Sequence, residues 1–111
     1  MLKHEIAERI LRQAEFYLNC EMQDIIRDHG LRREPVKTEG RMWVEVVDVS
    51  EVSDPPIDIR VSVCFRVDHG RVMTVAERIV PRFTRMNTLD ELLMPDLAHF
   101  AARLMDGLYA S

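Results

Sequence analysis

Two arginines, two glutamates, and the four histidines and two cysteines of the chain are the side chains whose type and spacing invite a chemical role. Arg60 and Arg78 fall on strand-like segments whose expected pairing sets them opposite each other. Two like charges so placed destabilise a sheet unless they share an anion or splay into water. They therefore form the candidate anion site. Glu45 and Glu77 are expected to flank Val61 on the helix-covered face, a spacing that suggests paired acid and base. Both sit on edge strands, where inward charges reach the rim and discourage edge-to-edge association. His4, His29, His69 and His99 are scattered, and no HExxH or Cys/His cluster is present. No glycine-rich phosphate loop, GxSxG elbow or nucleophile beside a base occurs. Neither a catalytic residue, nor a metal, nor a cofactor is expected. Cys20 and Cys64 have no CxxC spacing and read as reduced structural thiols.

The element that must position these groups spans residues 57–67. Ile57, Ile59, Val61, Val63, Phe65 and Val67 alternate with Asp58, Arg60, Ser62, Cys64 and Arg66, the period of a strand with one buried face. Before it, residues 42–49 form a first strand of ambiguous register, because Met42, Val44 and Val46 make one apolar face and Trp43, Val47 and Val49 the other. Asp54, Pro55 and Pro56 supply the turn between the two.

After it, residues 67–71 suit a three-residue hairpin loop with Gly70 left-handed. Val67 then faces Arg71, Phe65 faces Met73, Val63 faces Val75 and Ile59 faces Ile79. The third strand runs over residues 72–80 and stops at Pro81. On this register the edge strands give the second sheet face Met42, Val44, Val46, Val72, Ala76 and Val80, an unusually apolar set.

Helices bracket the strands. From residue 2 to 29, Ile6, Ala7, Ile10, Leu11, Ala14, Tyr17, Leu18, Met22, Ile25 and Ile26 fall on one broad face, and Gly30 is placed to end the helix. Phe16 and Cys20 lie four apart on the opposite face and form a candidate interaction patch. Thr88 and Glu91 are spaced as a capping box for the last helix, with Pro95 forcing either a kink or a restart. Leu97, Phe100, Ala101, Leu104, Met105 and Leu108 complete its apolar stripe.

The expected fold is α+β: an αβββα two-layer sandwich, a three-stranded antiparallel meander with both helices on the odd-numbered face of residues 57–67. Residues 1–111 make one domain. This order, with Pro55-Pro56 entering the middle strand and Ala101-Ala102 in the last helix, resembles the double-stranded-RNA-binding domain over about residues 55–105. That resemblance implies RNA held by a lysine cluster at the start of the last helix. Here those positions carry Asp90, Glu91 and Asp96, the reverse charge. In size and layout the chain also resembles a small bacterial protein family of unknown function.

With 47% hydrophobic and 31% charged residues, the composition is that of a folded domain, and a net charge of −4 lacks the footprint of a nucleic-acid binder. The N-terminus lacks a signal-peptide apolar run, and no span approaches the ~20 apolar residues of a membrane helix. A cytoplasmic location follows, with no membrane partner. The leading expectation is a non-enzymatic interaction or accessory domain, with self-association as one form. A small-ligand or anion-binding domain using Arg60 and Arg78 is the alternative, and RNA binding stands behind both.

Overall fold

A computed structural model describes residues 2–49, 58–67 and 70–107. The Asp54-Pro55-Pro56 turn, Ile57, His69 and the stripe position Leu108 lie outside these residues. The elements are α1 (Lys3–His29), β1 (Met42–Asp48), β2 (Asp58–Arg66), β3 (Val72–Pro81) and α2 (Met86–Met105). The strands form one antiparallel sheet in the order β1-β2-β3. Helix α1 packs on β1, α2 packs on β3, and the helices touch each other. The chain is thus the αβββα sandwich expected.

Helix α1 buries Ile6, Ile10, Ala14, Leu18 and Met22. Gly30, at φ 61, ends it, and the Leu31 N–H reaches back to the Ile26 carbonyl at 2.9 Å. That six-to-one bond satisfies a carbonyl the helix would otherwise leave open. At the other end the Leu2 N–H donates to the Glu5 carboxylate at 3.4 Å.

Helix α2 begins earlier than the Thr88-Glu91 capping box predicts. Its N-cap is Arg85, which makes no side-chain cap, and Thr88 lies inside the first turn. Burial decides the start: Leu89 is 1% exposed, and its N–H must pair, which it does with the Arg85 carbonyl at 3.1 Å. Leu89, Leu93, Leu97, Phe100, Ala101, Leu104 and Met105 then form the inward stripe. Pro95 lies within this single helix on its exposed side, so the helix does not restart there.

The register of β1 is settled by its pairing. Met42 faces Phe65, Val44 faces Val63, Val46 faces Val61 and Asp48 faces Ile59, so these residues look toward the helices. Trp43, Glu45 and Val47 look away. Between β2 and β3 the hairpin register holds at first, with the Val67 N–H on the Arg71 carbonyl at 2.7 Å and Phe65 opposite Met73.

A bulge then intervenes. Cys64 faces Thr74 and Val63 faces Ala76, leaving Val75 without a partner. Beyond it every β3 side chain is on the face opposite to that expected: Arg78 faces Val61, Ile79 faces Arg60 and Val80 faces Ile59. The apolar second face expected from the edge strands is therefore not formed. Met42, Ala76 and Val80 are core, Val44 and Val46 pack against it, and only Val72 stays outside. The physical cause is that residues 72–80 are apolar in both parities, so one extra residue slips in without exposing the core.

Candidate functional site

The outer face of the sheet has no described helix over it, and its side chains fall in rows across the strands. Trp43, Cys64 and Thr74 form one row; Glu45, Ser62 and Glu77 the next; Val47, Arg60 and Ile79 the third. Arg66 and Val72 pair beyond the first. Glu45 and Glu77 thus flank Ser62 on the open face, not Val61 on the covered one. The bulge moved Glu77, and the β1 register moved Glu45.

The same shift separates the two arginines of the expected anion site. Arg60 stays outside, its Nε 3.6 Å from a Glu77 carboxylate oxygen. Arg78 is turned to the helix side, where its Nη1 donates to Asp96 of α2 at 2.9 Å and to the Glu77 carbonyl at 2.6 Å. On opposite faces, each beside its own carboxylate, they do not form a common anion site.

Small residues line the middle of the open face. Ser62 and Cys64 are 6% and 4% exposed, covered by their longer neighbours rather than by another layer. Burial pushes the Cys64 thiol above its ordinary range, Glu45 and Glu77 push it further, and a hydrogen bond with Thr74 opposes them. A thiol held protonated is a poor nucleophile. The Trp43 indole N–H donates to Glu45 at 3.2 Å, and the Arg66 guanidinium lies 5.8 Å from the centre of the Trp43 ring. These contacts organise a surface and activate no group.

Among the described residues no three His, Cys, Asp or Glu side chains are placed to hold a metal ion. No family model, curated protein or solved structure matches the chain. The face itself is the remaining guide.

The expected patch on α1 has Phe16 exposed at 68% and Cys20 half-buried. Among the described residues the most exposed aromatic side chain is elsewhere. Phe83, in the connection leaving β3, is 88% exposed. Its turn is closed twice, because the Thr84 N–H and Thr84 hydroxyl both donate to the Pro81 carbonyl, at 3.0 and 2.7 Å. An apolar residue that fits no stripe, inside a Pro-Arg-Phe-Thr-Arg turn, was the available sequence signal. Just before the turn, Ile79 is 61% exposed on the outer face.

Away from this face, Asp90 is among the perturbed groups. Asp90 lines a small cavity between the helices with Gln13, Tyr17 and Leu93, of about 10 Å³, room for one water at most. Burial raises its carboxyl above the ordinary range, and Arg9 opposes the rise. A raised folded value means that the folded state binds the proton more tightly than the unfolded state. The resulting penalty is absent below the ordinary carboxylate range and grows as pH rises through the raised value.

Asp90→Asn is accordingly expected to stabilise the protein at pH 7, by roughly half a kcal/mol given solvent screening. The gain should vanish on acidification. Urea midpoints of both proteins at pH 3.5 and 7 check this. Asp48, lowered chiefly by the Lys3 hydrogen bond, contributes to both alike and drops out of the difference.

Proposed function

We propose that this chain is a non-enzymatic, cytoplasmic interaction domain that docks a protein on the open face of its sheet. The observation that carries this is the apolar margin of β3, where Ile79 at 61% exposure leads directly into the doubly closed turn that presents Phe83 at 88%. Ordering an aromatic in water brings nothing to the fold, whereas a rigid aromatic anchor lowers the entropic cost of binding. Charge supports a protein rather than a nucleic acid as the partner. Among the described residues of this face Arg60 and Arg66 are matched in number by Glu45 and Glu77, which leaves no net positive charge from them to draw in phosphates. Both cysteines are free, in keeping with a reducing compartment.

A photo-crosslinking amino acid at position 79, in cells expressing the chain, should yield one discrete adduct, and Phe83→Ser should weaken it while leaving the urea midpoint unchanged. The same probe at Glu91, exposed on α2, should yield none. Equal labelling at both positions would refute the docking role.

A further inference from the structure

We propose that the protein docked on this face is a second copy of the chain, seated face to face across a two-fold axis that runs perpendicular to the strands. The inference rests on the docking role proposed above and adds the identity and orientation of the partner. The open face is built from strands of seven, nine and ten residues. At about 4.8 Å between strands and 3.3 Å per residue, such a face covers roughly 15 by 25 Å once its edge side chains are included. That is a projected area of about 400 Å², to which the exposed Phe83 adds, the size of a small self-association contact rather than of the roughly 800 Å² per partner of a standard interface.

The charges select the orientation. A two-fold axis parallel to the strands lays each row on its own copy, so that Arg60 meets Arg60 and Glu45 meets Glu77. Like charges juxtaposed across an interface cost several kcal/mol. An axis perpendicular to the strands, passing between the Ser62 row and the Arg60 row, lays each of these rows on the other. Arg60 of one copy then comes down over Ser62 of its partner, between Glu45 and Glu77.

The site on which it lands is suited to it. Ser62 is small, 6% exposed, and flanked on the neighbouring strands by two longer, exposed carboxylate side chains, so a cation arriving over it meets a carboxylate on either side. Glu45 has no cation among the described residues and accepts only the Trp43 indole N–H. Arg60 holds its own Glu77 loosely, at 3.6 Å, with both side chains more than two-fifths exposed. A planar guanidinium with five donors is able to serve a carboxylate on each side. Two-fold symmetry makes the contact twice.

The test is a charge exchange read by sedimentation equilibrium. The wild-type chain should be a dimer. Arg60→Glu alone, and Glu45→Lys with Glu77→Lys in a second protein, should each be monomeric, with self-affinity reduced on the order of a hundredfold or more. An equimolar mixture of the two variants should form a heterodimer, because the reversed charges then face one another in one copy of the contact and the native charges face one another in the other. All three positions are exposed, and circular dichroism confirms the fold of each variant.

A wild-type chain that is monomeric at 100 µM overturns the proposal. A foreign protein crosslinked at position 79 would then leave the docking role standing alone. Dimeric charge variants, or variants that remain monomeric when mixed, overturn this face as the contact, and loss of the dimer in Phe16→Ser would place it on α1 instead.

Discussion

Replacing Phe65 with alanine is expected to cost about 3–5 kcal/mol of unfolding free energy, the range for a large aromatic removed from a core. The side chain is completely buried on the sheet's inner face, on the central strand at its hairpin end. Its ring meets Phe100 of α2 edge-on, with centroids 4.9 Å apart at 64°, a favoured geometry that adds to the area it buries. From the β1 side the Arg41 guanidinium lies 4.8 Å from the ring centre, while the Arg41 Nε donates to the Arg66 carbonyl at 3.1 Å. Phe65 therefore joins sheet, second helix and the entry to β1 in one contact. Urea unfolding measures the loss. A double-mutant cycle with Phe100→Ala should return a coupling of about 0.5–1.5 kcal/mol. A loss below about 2 kcal/mol would mean that the ring is not held as described.

Val80→Asp is expected to remove several kcal/mol and leave little folded protein, while Ile79→Asp one residue earlier is expected to change stability by no more than about 0.5 kcal/mol. Val80 is 7% exposed opposite Ile59, whereas Ile79 is 61% exposed opposite Arg60. A buried carboxylate among aliphatic groups lacks a partner and must either carry an uncompensated charge or bind a proton. At position 79 the new carboxylate looks onto water and a guanidinium. Without the bulge at Val75 the two outcomes would be exchanged. Thermal and urea unfolding of the two variants, in dilute solution below association, therefore test the bulge directly.

What was legible in the sequence was local. Helix α1 could be read because its apolar positions recur at helical spacing and Gly30 supplies the one residue type that enters the left-handed region freely. Strand β2 could be read because its alternation is uninterrupted, and the hairpin because Gly70, at φ 75, follows a turn sequence that sets its length. The start of α2 was misplaced because Thr88 and Glu91 satisfy a local capping rule, whereas burial of Leu89 against the sheet extends the helix past it. Phe83 was overlooked because exposure of a connection is not a periodic property.

The candidate site fared differently from the fold because it depends on register. β1 offers two apolar faces, and β3 offers apolar residues in both parities, so each strand satisfies the core in more than one alignment. The expected Arg60 and Arg78 pair and the inward Glu77 dissolved when Val75 took no partner, and the inward Glu45 dissolved with the register of β1.

By itself, then, the sequence determined the order of elements, the antiparallel hairpin and the inner face of β2, because each follows from spacing along the chain or from a single turn. Only the tertiary structure decided what shares the outer face with Ser62 and Cys64. That choice depends on how side chains from three strands pack beneath two helices, and a shift of one residue exchanges core for surface at no cost to the pattern. Glu45, Arg60 and Glu77 are neighbours for that reason.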